Sequence, residues 1–235
     1  MMNIVQACGV VAKNKGPSLV VATMLSMFIF DRIEGRDGQA RFVPLLGGKA
    51  GAIVGVIVAK LRDLLQGYKA TGAAPGRISS VPLMGGCAGL GLGLAMAQPA
   101  RKVIVMDGDA SLLMELSGLA TVAAHQPANL LHIVVNNGTQ FTAYANARAP
   151  LPDFRFTEAA RAAGYAHAET ISDATQWAER LPQLMTLQGP VFVELMVQPF
   201  PQQTKPGFVQ QEMPDVQFAR MGLEVAALRS HLEHA

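Results

Sequence analysis

Three stretches of the chain are apolar almost without interruption: Lys102 to Met106 (KVIVM), Leu130 to Val135 (LLHIVV) and Val191 to Val197 (VFVELMV). Short runs rich in Val and Ile, without polar alternation, predict strands buried on both faces, as in a parallel sheet. Between the first two runs, apolar positions recur at helical spacing over Ser111 to Ala124. Residues 102–135 therefore read as a βαβ unit, which is right-handed and sets both strand C-termini side by side. Further helices are predicted over Ile4 to Ala12, Leu25 to Ile33, Phe156 to Gly164, Asp173 to Leu187 and Val216 to Leu232, with a strand over Ser18 to Met24. The expected class is α/β: three α/β/α layers around a mainly parallel central sheet.

Composition narrows the function. Half of the 235 residues are hydrophobic and 15% are charged, which demands a large core and excludes disorder. Lys and Arg number 19 against 17 Asp and Glu, with no run of like charge, so neither nucleic acid nor an anionic membrane is the implied partner. Two cysteines, Cys8 and Cys87, form no C-x-x-C, against an iron–sulfur cluster or a zinc site, and fit a reducing cytoplasm. The most apolar segment, Val43 to Ala59, holds 17 residues, Lys49 and four glycines. That is short of the roughly 20 residues a membrane span needs, and Met1-Met2-Asn3 lacks the basic start of a secretory signal. A cytoplasmic protein is expected.

The same segment has an internal echo. VPLLGGKAGAIVGVIVA at 43–59 and VPLMGGCAGLGLGLAMA at 81–97 share 9 of 17 residues, and both read as a loop entering a helix. Gly89, Gly91, Gly93 and Ala95 would let the second helix lie very close to a neighbour. The expected layout is a main domain over 1–200 with an inserted helical segment at about 35–76, then a proline- and glutamine-rich tail and helix over 201–235.

Candidate chemistry sits where the βαβ strands end: Asp107-Gly108-Asp109-Ala110-Ser111 after the first, and Asn136-Asn137-Gly138-Thr139 after the second. Open α/β sheets bind ligands at strand C-termini. An Asp and an Asn delivered there by neighbouring strands can put a carboxylate and an amide oxygen on one hard cation such as Mg²⁺, with ligand phosphates completing the shell. The helix start beyond Asp109 offers free N–H groups to phosphate. Alternatively, Asp109 caps the helix and Asn136-Asn137-Gly138 is an ordinary turn. The glycine-rich run at 85–93 precedes a strand instead of following one and contains no G-x-G-x-x-G, against a dinucleotide fingerprint. The five histidines show no ligand spacing.

Gly108-Asp109-Ala110, 25 residues, then Asn136-Asn137 resembles the thiamine diphosphate motif Gly-Asp-Gly…Asn-Asn, with Ala110 in place of the last glycine. The surrounding sequence is similar to the diphosphate-binding domain of the 2-oxo acid decarboxylase and acetolactate synthase group, and to split sulfopyruvate and phosphonopyruvate decarboxylases. The resemblance implies the thiamine diphosphate-binding fold, Asp109, Asn137 and the Thr139 carbonyl as Mg²⁺ ligands, and Gly108, Ala110 and Ser111 at the diphosphate. It implies that Met84, followed by Gly85, props the cofactor into its bent form, and that the Pro82 carbonyl accepts from the 4′-amino group. Gln140, Phe141 and Tyr144 would border the reacting carbon as a substrate loop. Where some pyruvate decarboxylases carry an acidic residue, this chain has Ala143.

The family's activating Glu belongs to a separate pyrimidine-binding domain, and no room for one is expected in 235 residues. No catalytic residue is therefore assigned here. The resemblance implies a partner pyrimidine-binding subunit that supplies the Glu, a hetero-oligomer of α2β2 or larger form, and a small 2-oxo acid substrate. An acetolactate synthase-like carboligase and a non-catalytic regulatory protein that keeps the fold stay open as alternatives. A ferredoxin-linked oxidoreductase subunit is disfavoured, because two cysteines cannot hold a four-iron cluster.

Overall fold

The computed structural model describes residues 2–34, 74–80, 83–142, 145–148, 153–199 and 214–234. The expected insertion lies almost wholly outside these residues, as do Pro82, Tyr144 and the 201–213 tail.

Six parallel strands form the central sheet: β1 (Leu19–Ala22), β2 (Arg77–Ser79), β3 (Val103–Gly108), β4 (Leu130–Asn136), β7 (His167–Ile171) and β8 (Val191–Met196), in the order β2-β1-β3-β4-β8-β7. A separate antiparallel hairpin joins β5 (Thr139–Thr142) to β6 (Ala145–Arg148). The three apolar runs became the adjacent strands β3, β4 and β8, with β4 buried throughout and β3 and β8 buried except at their C-terminal tips.

Helices cover both faces. On one side α1 (Ile4–Asn14), α2 (Met24–Ile33) and α7 (Ala174–Thr186) bring Val11, Phe30, Trp177 and Leu181 onto Ile104, Met106, Ile133 and Val193. On the other, α3 (Cys87–Ala97), α4 (Asp109–Met114), α5 (Ser117–His125), α6 (Phe156–Ala163) and α8 (Pro214–Glu233) share a core with Val105, Leu130, Val134 and Phe192. Odd and even strand positions go to opposite faces, as the pleat requires. The α/β/α expectation is therefore met.

Three local expectations need correction. A three-residue strand, β2, precedes the glycine-rich run, which therefore follows a strand; the dinucleotide reading now fails only on the missing G-x-G-x-x-G. The helix expected over 111–124 is two helices, because α4 ends in a cap at Glu115 with φ −140° and α5 restarts from Leu116. Gln140 and Phe141 lie on strand β5, not in a loop.

Close packing accounts for one glycine of α3. A Cβ at Gly91 would stand 2.1 Å from Val105 Cγ2, so only glycine lets α3 settle on β3, while Gly89 and Gly93 face open space. The C-terminal helix docks on the edge strand. Arg77 bonds Asp31 and Glu34, Arg220 bonds Asp31 and Glu224, and Glu224 Oε2 accepts from the Ser79 N–H and hydroxyl at 2.6 Å. That carboxylate caps an amide pointing away from the sheet, closing an edge that would otherwise invite another strand. Among the described residues, no helix is long and apolar enough to cross a membrane.

Candidate functional site

In the strand order, β1 is flanked on one side by β2 and on the other by β3, so the direction in which strands are added reverses at β1 and opens a crevice between β1 and β3. Crevices at such reversals, beyond the strand C-termini, are where α/β sheets bind ligands. Both polar clusters stand at this end, on the neighbouring strands β3 and β4, whose register pairs Gly108 with Val135. Thr23, just past β1, joins them through its N–H and hydroxyl to the Met106 carbonyl, at 3.0 and 3.3 Å.

Asp109 is the first residue of α4, and Gly108 is its cap, without a side-chain capping bond. The Asp109 carboxylate instead crosses to the second cluster, where Oδ2 accepts from the Gly138 N–H at 2.8 Å. Gly138 supplies that amide from a left-handed turn with φ +67°. Burial pushes the Asp109 pKa up from 3.8 to about 6, against the amides of Ala110, Gly138, Asp109 itself and Asn137, which pull it down. The result is a desolvated carboxylate that favours a bound cation or proton.

Asn137 closes its own turn: its Oδ1 accepts from the Thr139 N–H at 2.8 Å and from the Thr139 hydroxyl at 2.7 Å. Asn136 points into the protein, where its Nδ2 donates to Glu194 Oε1 at 2.8 Å. The Met84-Gly85 loop is tied to the same place, since the Gly85 N–H donates to Ser111 Oγ at 3.3 Å. Gly85 has φ +86°, and a Cβ there would meet Glu115 Cβ at 2.9 Å, so the loop can pass α4 only with glycine at this position. Met84 is 67% exposed, an apolar side chain standing free of the core beside the site.

The structure thus brings together Met84, Gly85, Gly108, Asp109, Ala110, Ser111, Asn137 and Thr139, with Gln140 following on β5. Pro82 and Tyr144 and the side chain of Phe141 lie outside the described residues. The oxygen donors expected for a hard cation, one carboxylate, one amide and one backbone carbonyl, all belong to the two turns joined by the Asp109–Gly138 bond. Among the described residues no three His, Cys, Asp or Glu side chains cluster for a metal; a set with a single carboxylate contains no such cluster.

Sequence reasoning missed the buried polar groups behind the turns. Asp107 is fully buried; its Oδ1 accepts from the Gly108 N–H at 2.8 Å, and its Oδ2 lies 3.5 Å from His132 Nε2. His132 Nδ1 in turn meets the Tyr165 hydroxyl at 2.9 Å. Burial raises the Tyr165 pKa, and burial followed by repulsion from Asp107 raises that of Cys87 well above the ordinary thiol value. The visible signal was a charged or polar residue inside each apolar run: Asp107 at the end of β3, His132 in β4 and Glu194 in β8.

A parallel α/β/α sheet with an Asp turn and an Asn turn joined at adjacent strand ends is the architecture of a diphosphate-binding domain. Residues 68–195 match the family described as thiamine pyrophosphate enzyme, C-terminal TPP binding domain, and the chain belongs to that family. It is similar to a phosphonopyruvate decarboxylase of Streptomyces viridochromogenes, 36% identical over 119 residues, covering 51% of this chain and 30% of that protein. A sulfopyruvate decarboxylase subunit beta of Methanothermobacter thermautotrophicus is 35% identical over 124 residues, covering 49% of this chain and 59% of that subunit. The matches therefore span less than two thirds of these relatives. The fold is shared with a thiamine diphosphate-dependent 4-hydroxybenzoylformate decarboxylase of Rhodococcus jostii, with TM-score 0.54 and 11% identity, covering 84% of this chain and 33% of that one.

Proposed function

We propose that the chain is the diphosphate- and Mg²⁺-binding subunit of a heteromeric thiamine diphosphate-dependent 2-oxo acid decarboxylase. The carrying observation is the Asp109 carboxylate, buried and bonded to the Gly138 amide, which makes one site of the two turns. Asp109, the Asn137 amide oxygen and the Thr139 carbonyl would hold the cation. Both lone-pair directions of Asn137 Oδ1 are taken by Thr139, so a cation there would displace one of the two donors, the rotatable Thr139 hydroxyl. The first amides of α4, at Ala110 and Ser111, would face the diphosphate, with Gly108 leaving room for it. Met84 would support the bent cofactor from below. When bound, thiamine diphosphate supplies the carbanion-stabilising chemistry by which a 2-oxo acid loses CO₂.

The Glu that activates the cofactor is proposed to come from the partner pyrimidine-binding subunit. The beta-subunit name of one relative and the phosphonopyruvate decarboxylase name of another favour decarboxylation over carboligation. A cytoplasmic hetero-oligomer is part of the same proposal.

The test combines the chain with a pyrimidine-binding subunit encoded beside it and follows CO₂ release from sulfopyruvate, phosphonopyruvate and unsubstituted 2-oxo acids. Turnover that needs both chains and Mg²⁺, and vanishes in Asp109→Ala, is expected. Full turnover by this chain alone contradicts the partner assignment.

A further inference from the structure

Asn136 has no ligand role in the proposed site, yet it is buried, and so is the residue it bonds. Glu194 stands in β8, 4% exposed, and its two oxygens face different neighbours. Oε2 accepts from the Thr157 N–H at 3.3 Å, the Thr157 hydroxyl at 3.0 Å and the Thr170 hydroxyl at 3.3 Å. Oε1 accepts from Asn136 Nδ2 at 2.8 Å.

The direction of this chain of bonds is fixed by chemistry. A backbone N–H can only donate and a carboxylate offers only acceptors to Asn136, so Asn136 must present its NH₂ group to Glu194. Its Oδ1 is thereby turned toward the Gly138 N–H, 3.2 Å away. That is the same N–H that bonds Asp109 Oδ2. Reversing Asn136 would set its NH₂ against the Gly138 N–H, donor against donor.

We propose that Glu194 is a positioning residue for the cation site, acting through the orientation of Asn136 on the Gly138 amide that holds the Asp109 carboxylate. This deepens the cofactor reading and rests on it for the role of Asp109. Glu194 touches neither cofactor nor substrate. The competing account is that Glu194 only satisfies the buried hydroxyls of Thr157 and Thr170.

The two accounts separate in a donor–acceptor swap. In Glu194→Gln, the single amide oxygen stays with the Thr157 N–H, and the new NH₂ meets the NH₂ of Asn136, forcing Asn136 to turn. Adding Asn136→Asp restores an acceptor toward position 194 and keeps one toward Gly138. The readout is amide hydrogen exchange at Gly138 and Thr139 in the cofactor-free chain, with titration of Mg²⁺ and thiamine diphosphate as a second measurement. Exchange in Glu194→Gln is expected to quicken about tenfold, with cofactor affinity falling about tenfold, as for other residues that orient metal ligands. The double change returns both toward wild type, and Thr170→Val, which trims only the outer anchor, leaves them in place. Unchanged exchange at Gly138 in Glu194→Gln, or no recovery in the double change, overturns the proposal. If exchange responds while the wild-type chain together with its partner subunit ignores Mg²⁺ and thiamine diphosphate, the orienting of Asn136 by Glu194 stands and the cofactor reading falls.

Discussion

The two faces of the central sheet are built from the same strands and differ in what those strands carry. Toward α1, α2 and α7 the central strands β3, β4 and β8 present only apolar side chains, Ile104 and Met106, Leu131, Ile133 and Val135, Val191, Val193 and Leu195, while the charged groups of that side, Arg77 on β2 and Glu169 on β7, stand on the sheet's edge strands. Toward α3 to α6 the alternate positions are interrupted by Asp107, His132, Asn136 and Glu194, all buried. Burying a polar group costs free energy unless it is bonded, so along β3, β4 and β8 the second face carries a liability that the first does not. That liability lies behind the Asp109 and Gly138 turns, whose groups it orients in the role proposed above for Glu194. Along these three strands one face is packed with apolar side chains and the other carries a bonded polar network.

The comparison predicts that damage on the first face is large and functionally silent. Trp177 is fully buried there, and its Nε1 donates to the Ala7 carbonyl at 3.1 Å. Trp177→Ala should cost about 3–5 kcal/mol in denaturant unfolding, while the molecules that remain folded keep the wild-type affinity for Mg²⁺ and thiamine diphosphate. A loss of affinity in step with the loss of stability would show that the two faces are not separate in function.

A smaller effect of opposite sign is expected on the second face. Asp109 has its pKa raised from 3.8 to about 6, so the folded chain holds the proton more tightly than the unfolded chain does. Below about pH 3 the group is mostly protonated in both states and contributes little. As pH rises toward 6 the unfolded chain gives up its proton first and stability falls; above 6 the cost is constant, about 1–3 kcal/mol. Without cations, Asp109→Asn should therefore be more stable than wild type at pH 8, with this pH-dependent advantage vanishing by about pH 3, in thermal or denaturant melts. Mg²⁺ with thiamine diphosphate should reverse the order at pH 8. Equal stability of the two proteins at pH 8 without cations would mean that the carboxylate is not strained by burial.

The first face was legible in the sequence and the second only in part. Continuous apolar runs announced β3, β4 and β8, and the Asp109 and Asn137 turns stood at their ends in plain sight. What the sequence hid depends on contacts between distant residues. β2 has only three residues and starts with the buried Arg77, a charge that makes sense only once Asp31 and Glu34 are beside it. β7 is a half-exposed strand, HAETI, polar enough to read as a loop until β8 pairs with it. The break at Glu115 leaves helical periodicity intact on both sides, so one helix was expected where two form. Glu194 looked like a blemish in an apolar strand, and its meaning appears only through Asn136, 58 residues earlier.

The central claim, that the Asp109 and Asn137 turns form one cation-dependent diphosphate site, is tested most directly by calorimetric titration of thiamine diphosphate into the chain with its partner subunit, with and without Mg²⁺. The account predicts binding that requires Mg²⁺ and is lost in Asp109→Ala, with the variant still folded. Binding that persists at the same affinity without Mg²⁺ or in Asp109→Ala would contradict it.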